Sequence, residues 1–239
     1  MVSQIRTALA ERERKLGTYR LQGTTIDAAS GQQARFRFMF RAPNQMRGEL
    51  LAPTHRIFAF DGHNLSELAV DTGVLTHWDL AGLDRAHADS MLHQVFAPFA
   101  PEGFRAPLMP TGPEVRATSI DRAGATMVRL SADLVEGGEE YFFAYELRPP
   151  AMDLLREETR SPAGEHVVEV LKERCDPGWG FCLPEAWVEK AGTQETAHTV
   201  LDAIDLNPPL SPADIALAVP DGGREETQHL AMSGDGGTL

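Results

Sequence analysis

The chain has 239 residues, with 22 Lys and Arg against 35 Asp and Glu, and therefore a formal net charge of −13 at pH 7. This charge disfavours nucleic acid as a partner, because phosphate binding needs clustered basic side chains, and it disfavours docking on anionic lipid by charge alone. The sequence lacks an apolar run of about 18 residues or more, so it predicts no transmembrane helix.

The chain begins with an amphipathic helix over residues 2–16. Val2, Ile5, Leu9 and Leu16 recur at helical spacing, and Gly17 ends the pattern. The helix follows directly on Met1, without a signal peptide. Two interpretations are open from the residues alone: a cytosolic protein, or a trimmed chain whose Met1 replaces an export signal or a lipidation site.

Strands follow from residue 19 onward. After a first strand over residues 19–26, residues 35–41 alternate strictly, with Phe36, Phe38 and Phe40 on one face and Arg side chains on the other. Period-two alternation of this kind is typical of a strand with one apolar face and one solvated face.

The alternating strand opens an antiparallel meander. Pro43 ends it, because proline cannot donate to a strand ladder. Short strands are predicted over residues 48–51 and 56–60, and the second of these carries Phe58 and Phe60. Asp61-Gly62 supplies the positive φ of a hairpin turn, after which strands over 65–70 and 74–78 return. The meander therefore has a row of phenylalanines on one side.

Residues 82–113 change character from strand to helix. An apolar helical stripe is formed by Ala86, Met91, Leu92, Val95, Phe96 and Phe99. Repeated prolines up to Pro113 then predict an extended connection. The helix is either ordinary core that fills the open face of the sheet or a lid over a lipid cavity. Met and Phe suit a lid because they repack around variable ligands.

The second half of the chain again reads as short strands. Their ranges are 115–120, 126–134, 140–147, 152–158 and 165–173, followed by 184–190 and 195–207. Regular short strands with turn signals between them indicate a barrel or a strongly curved sheet. We predict a short turn and strand over 212–218, one domain over 1–222, and a disordered tail over 223–239, which is polar and Gly-rich.

Two stretches carry a family resemblance. The order of a basic residue, Pro, short strand, Pro, apolar strand and Asp-Gly resembles the core of the LolA/LolB-like superfamily of periplasmic lipoprotein carriers and outer-membrane lipoprotein-sorting proteins. Arg41, Pro43, Pro53 and Asp61-Gly62 hold those positions here. The stretch 183–222, with Leu-Pro at its start, Asn-Pro-Pro-Leu inside it and Pro-Asp-Gly at its end, is similar to the C-terminal part of such domains.

One position departs from the family pattern. LolA has an arginine directly before the first proline, which holds its helical lid closed, whereas Ala42 stands there in this chain and Arg41 lies one residue earlier. Because a one-residue offset in a strand moves a side chain to the other face, the latch role is not transferred to Arg41.

The resemblance implies the fold class and the location of the protein. It implies a mainly β (α+β) fold, an incomplete antiparallel β-barrel or curved half-barrel with helices over its concave face. It also favours a periplasmic protein or an outer-membrane-anchored lipoprotein, and hence the trimmed chain of the two interpretations above.

The two cysteines are seven positions apart around Asp-Pro-Gly. In an exported protein we expect a disulfide between Cys175 and Cys182, and in a cytosolic protein free thiols. Two thiols alone make a poor zinc site, since zinc in structural sites normally takes four ligands.

Signals for catalysis are weak. The sequence contains neither a Gly-rich phosphate loop nor a G-x-S-x-G nucleophile elbow, and its eight histidines are scattered. His63 and His77 could meet across the meander. We therefore expect no enzyme activity, no catalytic residue, no metal and no cofactor.

The phenylalanine row is the best candidate site. We predict an apolar cavity that binds the acyl chains of a lipid or a lipoprotein, because burying each CH₂ contributes about 0.8 kcal/mol. The predicted lining residues are Phe36, Phe38, Phe40, Phe58, Phe60, Met91, Leu92, Val95, Phe96, Tyr141, Phe143 and Tyr145.

Three functions fit such a site. The favoured one is a non-catalytic lipoprotein carrier or receptor of the bacterial envelope. The alternative is a LolA-like sensor or interaction module that contacts another envelope protein. A hydrolase that uses His63 or His77 with a nearby Asp is the least favoured of the three.

Overall fold

A computed structural model describes residues 1–83, 88, 91–92, 95–96, 99, 115–122, 124–136 and 138–231. Helix α1 spans Val2–Lys15 and the short helix α2 spans Pro212–Ile215. The strands are β1 (Thr18–Asp27), β2 (Gln33–Arg41), β3 (Gln45–Leu50), β4 (Arg56–Phe60), β5 (Leu65–Ala69), β6 (Val74–Gly82), β7 (Arg116–Arg122), β8 (Ala125–Glu136), β9 (Glu139–Arg148), β10 (Asp153–Ser161), β11 (Gly164–Asp176), β12 (Phe181–Ala191), β13 (Gln194–Leu206) and β14 (Arg224–Ala231).

All described strands belong to one sheet, in the order β14-β6-β5-β4-β3-β2-β1-β13-β12-β11-β10-β9-β8-β7. The pairs within β2–β6 and within β7–β13 are antiparallel, whereas β14 joins β6 in parallel. Within the described part of the chain, the edge strands β14 and β7 do not pair with each other, so the sheet is open. The predicted fold class, a mainly β chain with an incomplete antiparallel barrel, is confirmed.

The chain divides into two compact units. Unit 1 contains Met1–Leu16, Gly23–Gln33 and Pro101–Asp202, and unit 2 contains Gly17–Gln22, Ala34–Ala100 and Ala203–Leu239. A single domain over residues 1–222 stays a prediction. Helical residues cover one face of the sheet in each unit, namely α1 in unit 1 and described residues between 88 and 96 in unit 2.

In unit 1 the predicted N-terminal helix forms and packs on the sheet. Ile5 and Leu9 of α1 are fully or almost fully buried against Leu130, Tyr145 and Leu147 of β8 and β9. The apolar stripe read from the sequence is thus the face that this helix turns to the core.

Arg12 continues the same stripe and fastens the helix. Its side chain is 4% exposed, its Nη1 donates to Asp153 over 2.9 Å, and its Nη2 donates to the carbonyl of Cys182 over 2.7 Å. Burial lowers the pKa of Arg12, and the charge of Asp153 opposes that shift. The guanidinium also lies 4.9 Å from the ring centroid of Phe181.

The other face of the unit 1 sheet carries a ladder of alternating charges. Arg129, Glu146, Arg156 and Glu169 stand opposite one another on four successive strands, β8 to β11. Opposite charges on facing positions stabilise a sheet. Arg129 and Arg156 both pair with Glu146, and Glu169 pairs with Arg122 and Lys190. Glu158 of β10 lies on the same face, is more buried than Glu146 and Glu169, and accepts hydrogen bonds from Arg129, Arg156 and Arg160.

Two predicted segments near the C-terminus differ from the structure. Residues 212–218, predicted as a turn and strand, contain α2 instead, because Ser211 and Asp214 form a reciprocal capping box and Pro212 suits the first helical turn. Residues 224–231, predicted as part of a disordered tail, form the edge strand β14.

We predict that Glu158→Gln flattens the pH dependence of stability. Burial raises the pKa of Glu158, but Arg156, Arg160 and Arg129 outweigh burial and lower it below its ordinary value. A lowered folded-state pKa contributes stability above the unfolded pKa of about 4.3, and this contribution is lost as pH falls through the folded pKa.

The measurement is urea unfolding, followed by tryptophan fluorescence, from about pH 7 down to about pH 2. At pH 7 the free energy of unfolding of the variant should be about 3 kcal/mol lower than that of the wild type. The neutral glutamine side chain compensates the charges of the three arginines less well than the carboxylate does. Glu165→Gln is the control, since Glu165 is 38% exposed and its pair with Arg160 is worth less than about 1 kcal/mol. Parallel pH curves for the wild type and Glu158→Gln would contradict the prediction.

Candidate functional site

Unit 2 contains an apolar face, which we call the Phe wall: Phe36, Phe38 and Phe40 of β2 with Phe58 and Phe60 of β4. Facing residues of a sheet lie on the same side, and the register places Phe40 opposite Met46, Met46 opposite Phe60, and Phe60 opposite Leu65. Phe36, Phe38, Phe40 and Phe60 are each at most 6% exposed.

Strand β1 extends the wall at one side through Tyr19. Its ring stacks on Phe40 with centroids 5.0 Å apart and lies 5.9 Å from the Phe38 ring. Tyr19 is fully buried. These distances lie in the range of favourable aromatic pairs, so β1 and β2 hold the wall rigidly at this side.

Two rings from the segment after β6 cover the wall. Met91, Leu92, Val95 and Phe96 are helical, as predicted, and Phe96 and Phe99 are buried. The Phe99 centroid lies 6.0 Å from that of Phe36, 6.4 Å from Phe38 and 6.2 Å from Phe58, while Phe96 lies 6.1 Å from Phe38. Ala86 and the prolines from Pro101 to Pro113 lie outside the described residues.

Gly48 makes room for the Phe99 ring. A Cβ at this position would lie 2.7 Å from Cδ2 and Cε2 of Phe99, closer than real Cβ atoms approach. Gly48 stands in the middle of β3, opposite Phe38 and Phe58. A glycine inside a strand pattern is the sequence signal for such a close approach, and that signal could have located the contact.

A charged pair interrupts the apolar face. Glu67 of β5 stands opposite Phe58, and Arg56 of β4 stands opposite Leu50, so both belong to the side of the sheet that carries the wall. Nη2 of Arg56 donates to Oε1 of Glu67, and the guanidinium lies 5.4 Å from the Phe58 centroid. Sequence reasoning missed this pair because its two members are 11 positions apart on different strands.

The predicted lining residues fall in both units. Nine of them lie in unit 2, namely the five residues of the Phe wall with Met91, Leu92, Val95 and Phe96, whereas Tyr141, Phe143 and Tyr145 lie in unit 1. Tyr145 packs in the cluster under α1, and Tyr141 donates a hydrogen bond to Glu139 over 3.1 Å. That all twelve residues line one cavity stays a prediction.

Phe143 and Tyr145 also line a small pocket in unit 1. Its other lining residues are Val115, Leu130, Ser131 and Ala132. Its enclosed space has room for about one water molecule, whereas sites for drug-sized ligands usually enclose about 300–1,000 Å³. The Phe wall is therefore the better candidate for an acyl chain.

The predicted disulfide between Cys175 and Cys182 is present. The two residues face each other across β11 and β12, with an S–S distance of 1.97 Å. The disulfide closes a hairpin that contacts the end of α1: Lys15 donates a hydrogen bond to the carbonyl of Trp179 over 3.2 Å. The disulfide therefore supports the attachment of α1 in unit 1.

One group of potential metal ligands lies beside the disulfide, but its atoms are engaged. Oxygens of Asp153 and Glu173 and Sγ of Cys182 lie within 4.8 Å of one another. However, Sγ of Cys182 is in the disulfide, Arg12 and Arg148 donate to Asp153, and Arg148 makes two bonds to Glu173. These three groups do not suit a cation, because the sulfur is not a free thiolate and the carboxylates are already bonded to arginines.

The two histidines considered for a hydrolase have separate environments. His63 lies in the β4–β5 turn, where its backbone N–H donates to Asp61. His77 bonds Ser66 through Nδ1 over 2.9 Å and Glu225 through Nε2 over 2.6 Å. The carboxylate partner of His77 is thus a glutamate of β14, and this contact helps to join β14 to β6.

Comparisons with known proteins identify solved structures with a similar fold. No family model matches the chain, and a search of curated proteins finds no match. Among solved structures, the chain is similar to a domain described as an outer membrane lipoprotein-sorting protein domain from Vibrio parahaemolyticus (TM-score 0.58, 9% identity), covering 89% of this chain and 94% of that one.

Two further solved structures have a similar fold. A DUF1329 family protein from Desulfovibrio piger has a TM-score of 0.60 at 8% identity, with 90% of this chain and 96% of that chain covered. A LolA superfamily protein from Nitrosomonas europaea has a TM-score of 0.54 at 8% identity, with 89% and 97% covered. The predicted resemblance to the LolA/LolB-like superfamily is confirmed at the level of the fold.

We predict that Gly48→Ala destabilises the protein through Phe99. The added Cβ forces the ring to move, which should cost about 1–3 kcal/mol in the free energy of unfolding. Gly17→Ala is the control, because its Cβ would meet its nearest neighbour, Asn207 Oδ1, at 3.6 Å, an ordinary contact.

A double-mutant cycle with Phe99→Ala identifies the cause. If the clash is the source, Gly48→Ala should cost less in the Phe99→Ala background than in the wild type, as measured by urea unfolding. Equal costs in both backgrounds would show that the glycine acts through the strand alone.

Replacing both Cys175 and Cys182 by Ser should lower the free energy of unfolding by about 2.5 kcal/mol, because the closed loop is short and its closure entropy is modest. The measurement is urea unfolding of the wild type and the double variant without reductant. Addition of dithiothreitol should bring the wild type to the stability of the variant and leave the variant unchanged. A variant as stable as the oxidised wild type would contradict the prediction.

Proposed function

We propose that the Phe wall binds acyl chains of a lipid or lipoprotein without catalysis, and that the protein is a carrier or receptor in the bacterial envelope. One observation carries the proposal. Three of the five wall phenylalanines, Phe36, Phe38 and Phe58, are covered by the rings of Phe96 and Phe99, which come from a single short segment.

An acyl chain can replace these two rings at little cost in apolar contact. It offers the same kind of surface to Phe36, Phe38 and Phe58, and each methylene that it buries contributes about 0.8 kcal/mol. About ten buried methylenes therefore contribute roughly 8 kcal/mol, enough to offset the ordering of the chain and the displacement of the rings.

The fold supports the proposal as an analogy. The similar structure from Vibrio parahaemolyticus is described as a lipoprotein-sorting domain, but at 9% identity the likeness concerns the fold alone. Function depends on the site rather than the fold, so the argument rests on the wall itself.

The disulfide supports a location in the envelope. Disulfides persist in oxidising compartments such as the bacterial periplasm and are rare in the cytosol. We propose a periplasmic protein or an outer-membrane-anchored lipoprotein. Within the described part of the chain, the helices are too short or too polar to span a membrane.

The direct test is binding of a fluorescent fatty acid by the purified chain, combined with native mass spectrometry after gentle purification. Phe38→Asp should weaken binding by at least about tenfold, because an ionised carboxylate in the wall must be desolvated when the acyl chain is bound. Leu171→Asp is the matched control, since Leu171 lies in unit 1 and is 56% exposed.

Folding of each variant is checked by circular dichroism. If Phe38→Asp does not fold, Phe58→Asp replaces it, because Phe58 is only half-buried. Phe99→Ala should act in the opposite direction and bind at least as tightly as the wild type, since it removes a ring that competes with the ligand. A wild-type protein that takes up no acyl probe would contradict the proposed function.

A further inference from the structure

We propose that Arg56 recognises an anionic head group, a carboxylate or a phosphate, on the acyl ligand, and that Glu67 positions Arg56 for this contact. The inference rests on the proposed function and deepens it. It names the chemical class of the ligand as an acyl chain with an acidic head group.

The position of the pair is the first argument. Arg56 precedes Phe58 by two residues on β4, and Glu67 faces Phe58 from β5, so both stand on the side of the sheet that carries the Phe wall. The guanidinium lies 5.4 Å from the Phe58 centroid, and that ring lies 6.2 Å from Phe99. An acyl chain that takes the place of Phe99 along Phe58 therefore brings its head group to Arg56.

The burial of Glu67 is the second argument. This residue is only 8% exposed, although a carboxylate on an apolar face must be desolvated. Buried ion pairs are often no more stabilising than apolar residues of similar volume. A leucine at this place would simply continue the wall, so stability alone does not explain the pair.

The geometry of Arg56 is the third argument. Its side chain is 47% exposed, whereas that of its partner Glu67 is 10% exposed. A guanidinium carries five N–H donors in a planar fork that matches carboxylate and phosphate oxygens, and the bond from Nη2 to Glu67 uses a part of that capacity. Glu67 and the Phe58 ring together hold the fork at the border between wall and solvent.

The opposite face of the sheet, on the neighbouring strands β2 and β3, offers a matched control. Arg37 of β2 faces Glu49 of β3 with N and O 3.7 Å apart, and their side chains are 53% and 14% exposed. Arg37 alternates with the wall residues Phe36 and Phe38, so its side chain lies on the other side of the sheet. The two pairs are similar in kind and exposure but differ in the face that they occupy.

The experiment compares oleate with oleyl alcohol, which has the same chain and a neutral head group. Dissociation constants are measured at about pH 8, where the carboxylate of oleate is ionised. The wild type should bind oleate about tenfold more tightly than the alcohol, since a charge-assisted hydrogen bond distinguishes them. Arg56→Gln should bring this ratio to about one and leave binding of the alcohol unchanged.

Two variants separate recognition from structure. Glu67→Gln should lower the ratio toward one and leave binding of the alcohol unchanged, because Arg56 loses the carboxylate that positions it, whereas loss of a merely structural pair would weaken both ligands equally. Arg37→Gln should leave the ratio as in the wild type. If Arg56→Gln does not fold, Arg56→Lys replaces it and should give an intermediate ratio, because lysine keeps the charge but loses the fork.

Each outcome is decisive. Equal binding of oleate and oleyl alcohol by the wild type would overturn the inference and leave the proposed function standing, whereas failure to bind either would overturn the proposed function. An unchanged ratio in both Arg56 variants would also overturn the inference. Millimolar inorganic phosphate should not displace oleate; displacement would show a site for free anions and would contradict a head-group site.

Discussion

The alternation of side chains along β2 is the constraint on which unit 2 depends. Because successive residues point to opposite faces, Phe36, Phe38 and Phe40 form one apolar side, and the register with β3 sets Gly48 opposite Phe38. That glycine leaves the notch into which the Phe99 ring fits. A slip of one residue would turn the phenylalanines to the other face and remove both the wall and its cover.

The same alternation produces a different result in unit 1. One face of β8 and β9 is filled by Ile5 and Leu9 of α1, while the other carries carboxylates that arginines cover. Arg12 joins the helix to Asp153 and to the backbone of Cys182, next to the disulfide. In unit 1 the whole of α1 packs on the apolar face of β8 and β9, and the pocket found in that unit is small. In unit 2 the rings of Phe96 and Phe99, from one short segment, cover part of the Phe wall. This difference in cover is the physical reason for proposing ligand binding in unit 2.

Local patterns predicted much of the fold and part of the site. The strands, α1 and the phenylalanine row follow from periodicity within short windows, and the disulfide pair from spacing and the expected compartment. Strand β14 was missed because Arg224–Ala231 lacks apolar alternation and its pairing depends on distant partners, such as Glu225 with His77 and His229 with Asp79. Arg12 was missed although it continues the 5, 9, 16 stripe, because a charged residue at a core position is recognised only with its partner Asp153.

Two arginine–carboxylate pairs in this chain differ in the exposure of the arginine. Arg12 is 4% exposed and donates both to Asp153 and to the Cys182 carbonyl, so its contacts lie within the protein and it serves to hold a helix. Arg56 has an equally buried acid as its partner, but its own guanidinium is half-exposed beside the Phe wall. In this pair the buried acid holds an exposed guanidinium that also borders the apolar wall, so less side-chain entropy remains to be lost when an external acceptor binds. This arrangement is the basis of the proposed head-group site for a ligand with both an acyl chain and a negative charge.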